Sequence, residues 1–129
     1  MIDNVKVLIF VESRYKVNRK RIKSTVSFVI EDQGVKSFLE VSIAIVGDRK
    51  MKDLNKKYRQ KDSTTNILSF PLAEGENTYL PEGIVRLGDI VISYPQVIRE
   101  AAREEILVDD KIETLVSHGM LHLLGLHHE

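Results

Sequence analysis

The sequence contains no cysteine and no tryptophan among its 129 residues. The missing thiols exclude a disulfide-bonded scaffold, a cysteine-ligated zinc site and thiol catalysis. Long apolar runs are also missing, since no stretch approaches the roughly 20 apolar residues that cross a bilayer. The N-terminal segment contains Asp3 and lacks the basic start of a signal peptide. These absences predict a cytoplasmic protein with no membrane partner.

Aromatic residues are few, with four phenylalanines and four tyrosines. An extensive platform for stacking nucleobases is therefore not expected. Phe10, Phe28 and Phe38 are predicted to lie in the core. Phe70 and Tyr79 lie next to a polar loop, where packing is favoured over stacking on a base.

Charge is balanced overall but uneven along the chain. Residues 1–62 carry 15 basic and 8 acidic side chains, a net of +7, whereas residues 63–129 carry 4 and 11, a net of −7. The first half can form a basic face that attracts polyanions, or the fold can intermix both halves; charge alone favours neither. The length and a hydrophobic content of 43% predict one globular domain over residues 1–129.

Short runs rich in β-branched and apolar residues, bounded by turn residues, predict four strands. Pro71 marks the end of a strand or a sheet edge, and Gly88 predicts a bulge or a close backbone approach. The predicted strands are Val5–Val11, Phe38–Val46, Asn66–Pro71 and Ile84–Ser93.

Helix-starting and helix-stopping residues predict four helices. Asn18 and Asp48 cap the first two, Pro95 lies in the first turn of the third, and Asp109 or Asp110 caps the last. Gly125 ends the last helix. The inward-facing residues of the third helix are predicted as Val97, Ile98, Ala101 and Ala102, continuing toward Ile106. Together these elements predict an α+β fold with one mixed sheet of about four strands covered by helices.

All four histidines fall within eleven positions near the C-terminus. His118 and His122 are one helical turn apart, so their Cβ atoms are expected about 5–6 Å apart on one face. Two imidazoles at this spacing reach one ion at about 2.0–2.1 Å. Gly125 can adopt a positive φ and return His128 to the same ion, in the spacing H-x3-H-x2-G-x2-H of metzincin zinc sites. Three neutral nitrogens leave one coordination position open, as catalytic sites do.

The histidines also have less specific interpretations. A single histidine on an apolar helix is more often a core or capping residue, and a terminal histidine pair can be the remnant of a tag. The spacing with Gly125 favours metal binding over both. Three interpretations of His127 stay open: it orients a ligand, it substitutes for a ligand, or it is merely exposed. Gly119 occupies the position of the general-base glutamate in H-E-x-x-H peptidases, so a peptidase has no base there.

Three segments resemble those of the YbeY family of bacterial endoribonucleases of rRNA maturation. The first, HGMLHLLGLHH at residues 118–128, is similar to the family signature H-G-x-L-H-L-x-G-Y-D-H. The second, YRQKDSTTNILSFP at residues 58–71, is similar to Y-R-x-K-D-x-P-T-D-V-L-S-F-P. The third, LGDIVIS at residues 87–93, is similar to L-G-D-I-x-I-S. Similarity in these segments and in the order of elements spans most of the chain.

The chain departs from the family pattern at four positions. Thr64 stands in place of proline, Asn66 in place of aspartate, and Leu126 and His127 in place of the Tyr-Asp pair. Acidic roles at positions 66 and 127 are therefore not expected. The sequence stops at Glu129, where family members continue into a further helix, so the tail is expected to be short or dispensable.

The resemblance implies a YbeY-like metallohydrolase domain over residues 1–129 with a zincin-like ligand helix near the C-terminus. His118, His122 and His128 would hold one Zn²⁺, with Ni²⁺ or another divalent transition metal as alternatives. Arg59 matches the functionally important arginine of the family and would complement charge on the phosphate. Lys56, Lys57 and Lys61 would position phosphates. The alternative for all four side chains is a solvated basic helix face.

Asp89 and His127 are predicted to lie beside the ligands. Asp89 would orient a histidine through its second ring nitrogen, or it would be a structural acceptor near Gly88; the sequence does not separate these interpretations.

The implied function is a metal-dependent, single-strand-specific endoribonuclease in maturation of the 3′ end of 16S rRNA and in ribosome quality control. Its partners would be single-stranded rRNA and the small ribosomal subunit, with no organic cofactor. Two alternatives stay open. One is a zincin-like metallopeptidase or other metallohydrolase, for which His127 and Glu129 are the nearest candidate bases. The other is a non-catalytic ribosome-assembly module with a structural metal.

Overall fold

The computed structural model describes residues 4–12, 14–72 and 83–125. The predictions for Tyr79, His127, His128 and Glu129 lie outside these residues. Within the described part of the chain, strands and helices follow one another in the order β1 (Val5–Val11), α1 (Arg19–Asp32), β2 (Leu39–Val46), α2 (Asp48–Arg59), β3 (Ile67–Pro71), β4 (Val85–Ser93), α3 (Tyr94–Glu104) and α4 (Val108–Leu123).

The strands form one mixed sheet in the order β1-β2-β4-β3. β1, β2 and β4 are parallel, and β3 runs antiparallel to β4 at one edge. The register between β2 and β4 shifts at Glu40/Val41, opposite Gly88, as the bulge prediction requires. Pro71 ends the edge strand β3, where a missing N–H is tolerated. The predicted α+β class and four-stranded mixed sheet are confirmed.

One face of the sheet carries the main core. Val41, Ile43 and Ile45 alternate along β2, are fully buried, and pack with residues of α1, α3 and α4. Burial of each such side chain stabilises the fold by roughly 1.5–3 kcal/mol. On the opposite face Met51 of α2 packs against Leu68 and Val91. Helices α2 and α4 therefore lie on opposite faces of the sheet.

Two predicted helix caps are wrong, whereas Asn18 caps α1 by accepting a hydrogen bond from the Arg21 amide at 3.0 Å. Gly47, one residue before Asp48, is the N-cap of α2. The N-cap of α4 is Leu107, and Asp109 and Asp110 lie in its first turn, where acidic groups favour the helix dipole. Instead of capping α4, Asp110 forms an ion pair with Arg21, which joins α1 to α4.

Several residues predicted to be buried are exposed. Phe10, Phe28 and Phe38 are 59%, 68% and 61% exposed. Phe10 alternates with Ile9 and Val11, which pack on the core, and so lies on the other face. There α2 packs against β4, and no described helix packs closely on β1. On α3 the inward prediction holds for Val97 and Ala101 but is wrong for Ile98, Ala102 and Ile106.

Among the described residues, no helix has the length and apolar character needed to cross a membrane.

Asp48 forms a polar junction between α2, β4 and α3. Its carboxylate accepts hydrogen bonds from Thr64 Oγ1 at 3.0 Å, from Ser93 Oγ at 2.9 Å and from Arg99 Nη2 at 2.7 Å. Burial alone would raise the pKa of Asp48, but the bonds from Arg99, Ser93 and Thr64 outweigh it and lower the pKa below its usual value.

Glu100 forms a second such junction. Burial would raise its pKa, but hydrogen bonds from Asn66 and Gln96 and the ammonium of Lys111 lower it. Asn66 Nδ2 donates to Glu100 at 3.0 Å, and Lys111 Nζ lies 3.3 Å from it. Both carboxylates are therefore stabilised as anions in the folded state.

We expect the protein to lose stability as the pH falls through the acidic range. A carboxyl whose folded pKa is lowered binds fewer protons than the unfolded chain, so its contribution disappears between about pH 5 and pH 2. Thermal unfolding across this range measures the loss. In Asp48→Asn, which cannot titrate, the melting temperature is expected to be lower at neutral pH and to fall less steeply with acid. A parallel decline in both proteins would contradict this account.

Candidate metal centre

Helix α4 places His118 and His122 on its exposed side, while Gly119, Met120 and Leu123 face the core. The two histidines are one turn apart in a continuous helix, so they share a face with Cβ atoms about 5–6 Å apart. His122 lies in the last turn, where the negative end of the helix dipole favours a cation. This donor pair fits one transition-metal ion.

Gly119 brings α4 close to the sheet. A Cβ added here would lie 2.8 Å from Ile90 Cδ1, 3.1 Å from Ile90 Cγ1 and 3.3 Å from Ile67 Cδ1. Position 119 therefore points into the core, away from the exposed histidine face. Glycine at this close contact leaves the chain without the general base of the peptidase interpretation.

Gly125 ends α4 with a backbone conformation that other residues rarely adopt. Its φ is +80°, and its amide donates to the carbonyl of His122 at 3.0 Å. An added Cβ would meet nothing within 4 Å, so the glycine is required by conformation and not by space. The chain turns at the point where the prediction places its return to the ion.

The third predicted ligand, His128, lies outside the described residues, as does His127. Among residues 4–12, 14–72 and 83–125, no three metal-ligating side chains lie close enough to hold an ion. A site on α4 therefore depends on the residues that follow Gly125, and the three-histidine set stays a prediction.

Arg59 is the last residue of α2 and is exposed on the face of the sheet opposite α4. Gln60 follows in the left-handed conformation, with φ 57°, and stops the helix there. The ring of Tyr58 meets that of Phe70 edge-on at 5.2 Å, which joins the end of α2 to β3. Arg59 and the two histidines therefore lie on helices that pack on opposite faces of the sheet.

The predicted phosphate-positioning lysines surround Arg59. Lys56, Lys57 and Lys61 are all exposed, and Lys57 Nζ lies 5.2 Å from the Tyr58 ring centroid. With Arg59 they form the basic cluster of α2, which consists of three side chains of the helix and that of Lys61, just beyond its end. Their exposure suits contact with a polyanion.

Asn55, which the sequence did not single out, holds the turn that follows this cluster. Its side chain is buried and its Nδ2 donates to the Ser63 carbonyl at 2.9 Å. In the sequence, the signal for such a role is the single amide side chain in a helix composed mainly of charged residues. Asn55 therefore fixes the path of the chain around Arg59 and Lys61.

Asp89 lies on β4 with its side chain on the face opposite α4, since it alternates with core-facing Ile90. Burial raises its pKa, while Arg86 and a hydrogen bond from Ser42 act in the other direction. This placement favours the structural-acceptor interpretation over orientation of His118 or His122.

Comparison with known proteins decides the family. The family model for endoribonuclease YbeY matches residues 9–129. The chain belongs to the YbeY family. The predicted resemblance is confirmed, and YbeY proteins are endoribonucleases, nucleases that hydrolyse phosphodiester bonds of RNA.

Individual YbeY relatives support the assignment. Endoribonuclease YbeY of Thermodesulfovibrio yellowstonii is 42% identical over 118 residues, which cover 84% of this chain and 72% of the relative. That of an Anaeromyxobacter species is 43% identical over 90 residues, covering 70% of this chain and 44% of the relative. The solution structure of TM1509 from Thermotoga maritima has a TM-score of 0.62 at 23% identity, covering 96% of this chain and 75% of that one. The structural likeness supports the fold.

Two departures from the YbeY pattern have structural roles here. Thr64, in place of proline, donates to Asp48 at 3.0 Å. Asn66, in place of aspartate, donates to Glu100 at 3.0 Å. An aspartate at position 66 would set two carboxylates against each other, so the amide fits this surrounding.

Proposed function

We propose that this chain is a metal-dependent, single-strand-specific endoribonuclease. Its substrate would be rRNA on the small ribosomal subunit, in maturation of the 3′ end of 16S rRNA and in ribosome quality control in the cytoplasm. The observation that carries the proposal is the exposed pair His118 and His122 on α4, followed by the left-handed turn at Gly125.

His118, His122 and His128 would hold the ion, with Zn²⁺ preferred and Ni²⁺ or another divalent transition metal as alternatives. Such an ion polarises a phosphoryl oxygen and brings the pKa of its bound water near neutrality. The three imidazoles would bind the ion through neutral ring nitrogens. The chain would then need no carboxylate base at position 119, where an added Cβ would crowd Ile90 and Ile67.

The basic cluster of α2 would bind the RNA backbone. The guanidinium of Arg59 can donate two parallel hydrogen bonds to phosphate oxygens and stabilise charge that develops on them. Lys56, Lys57 and Lys61 would add contacts that depend on salt and not on sequence. Strand β3 lies between this cluster and α4, so an RNA strand crossing that edge would contact both.

We expect Arg59→Ala to reduce cleavage of a single-stranded rRNA fragment by roughly 10²-fold or more, the cost of losing one donor to a developing oxyanion. Steady-state cleavage with fluorescent RNA measures it. Arg59 is exposed, so the melting temperature should stay unchanged.

Arg103→Ala is the matched control, because Arg103 is also an exposed arginine at the end of a helix. It should cleave at the rate of the unmodified protein. Equal rates for Arg59→Ala and the unmodified protein would contradict the role of Arg59.

A further inference from the structure

A groove of about 580 Å³ lies between the free edge of β1 and α1, at the opposite edge of the sheet from β3. Apolar and basic side chains line it together. Its walls are Val5, Lys6 and Val7 from β1, and Lys20, Lys23, Ser24, Ser27, Phe28 and Glu31 from α1. The proposed RNA-cleaving site uses none of these residues.

The backbone of β1 offers to this groove groups that no described residue pairs. The Asn4 carbonyl accepts a hydrogen bond from the Leu39 amide at 2.8 Å, and the Glu12 amide donates to the Ile45 carbonyl at 2.8 Å. The even-numbered residues of this segment therefore direct their backbone groups toward β2. In a parallel pair the alternate residues point their N–H and C=O groups the other way. Val5 and Val7 are such residues, and no described residue pairs with their outward groups.

Arg19 limits the open edge at its far end. Its Nη1 donates to the carbonyl of Ile9 at 3.1 Å. The unpaired stretch is therefore short and centred on Val5 and Val7. This is the length of edge that a short extended segment occupies when it adds one strand to a sheet.

The charge of the groove selects its occupant. Lys6, Lys20 and Lys23 form no ion pair within the described residues, and Glu31 is the one acidic residue of the lining. A second copy of the chain would place the same lysines opposite one another, which is unfavourable. An acidic segment is complementary to them.

Apolar contacts distinguish a peptide from RNA. Phe28 is 68% exposed beside the half-buried Val5 and Val7, which offers an apolar anchor. The outward carbonyls of these valines would repel phosphates but accept hydrogen bonds from peptide amides. We propose that the groove between β1 and α1 binds an extended acidic segment of a partner protein, which adds a strand to the sheet beside Val5 and Val7.

A fluorescein-labelled peptide in which aspartate alternates with valine tests this binding. Anisotropy should show saturable binding, weakened about tenfold or more in the double variant Lys20→Glu/Lys23→Glu, because the rim charges are reversed. The control Arg49→Glu/Lys50→Glu reverses two exposed charges on α2 and should bind as the unmodified protein does. A peptide that alternates lysine with valine should not bind.

Amide hydrogen exchange distinguishes strand pairing from electrostatic attraction, because attraction between charges alone would not slow the exchange. The bound peptide should slow exchange of the Val5 and Val7 amides, as strand pairing does. RNA cleavage by Lys20→Glu/Lys23→Glu should stay normal, since the groove lies away from α4 and β3. Absence of peptide binding, or binding without protection of these amides, would overturn the proposal. Loss of single-stranded oligonucleotide binding in this variant, with no effect on the peptide, would instead identify an RNA contact and overturn it too.

Discussion

We expect His118→Ala to lose cleavage of a single-stranded rRNA fragment by roughly a thousandfold. The proposed ion supplies several kcal/mol of charge stabilisation, and about 1.4 kcal/mol corresponds to a tenfold change in rate. His118 is exposed on α4, so its removal leaves the core intact and the melting temperature should change little. Cleavage assays and circular dichroism on the same preparation separate loss of activity from loss of fold.

Thr114→Ala provides the matched control on α4. Thr114 is exposed one turn before His118, and its hydroxyl donates only to the Asp110 carbonyl at 3.1 Å. This variant should cleave normally. If His118→Ala cleaved as fast as Thr114→Ala, the histidine face of α4 would not be the site of cleavage. Ribosome association that survives both His118→Ala and chelation, with no cleavage by the unmodified protein, would favour the non-catalytic assembly module.

Gly88→Ala is expected to destabilise the protein by more than about 3 kcal/mol, a large part of the usual total stability. Gly88 has a φ of +148°, and an added Cβ would collide with the carbonyl oxygen of Phe70 and lie 3.1 Å from Pro71 Cα. Both atoms belong to the backbone of the paired strand β3. They cannot move without breaking the β3–β4 pairing.

The same substitution would affect the candidate metal centre. The added Cβ would also lie 2.9 Å from Leu123 Cδ2, next to His122 at the end of α4. Gly34→Ala is the control, since Gly34 has a φ of +69° but open space around it. Its cost should be about 1 kcal/mol, from the left-handed conformation alone. Urea unfolding measures both, and equal losses would show that the contact with β3 is not the cause.

The strands were predictable because their signals are local. A run of β-branched and apolar residues predicted Val5–Val11 with the observed bounds, and Pro71 marked the end of an edge strand. Gly88 predicted the bulge from an equally local signal, because a glycine inside a strand is typical of a bulge or a close backbone approach. Such features depend on a few neighbouring residues and need no knowledge of the tertiary structure.

Burial of the phenylalanines was not predictable in this way. An apolar side chain becomes core only if another element covers it. On the face of α2, that helix packs over β4, and no helix in the described part of the chain packs closely on β1. Phe10 is exposed for this reason, although its hydrophobicity matches that of a core residue. The error at Asp48 has a similar origin: its partners Thr64, Ser93 and Arg99 are distant in sequence.

The candidate site also combines local features, which the sequence predicts, with features that depend on tertiary packing. The spacing of His118, His122 and Gly125 is contained within one helix and its end, so the sequence predicts it directly. The reason for Gly119 becomes visible only when Ile90 and Ile67 lie beneath it. The location of Arg59 across β3 depends on the packing of α2, which periodicity does not specify.

Removal and return of the metal ion tests the central claim most directly. The protein is stripped with a chelator until elemental analysis finds no transition metal, and cleavage of a single-stranded rRNA fragment is then measured before and after one equivalent of Zn²⁺. The account predicts that stripping abolishes cleavage and that Zn²⁺ restores it in the unmodified protein but not in His122→Ala. Undiminished cleavage by the metal-free protein would contradict it.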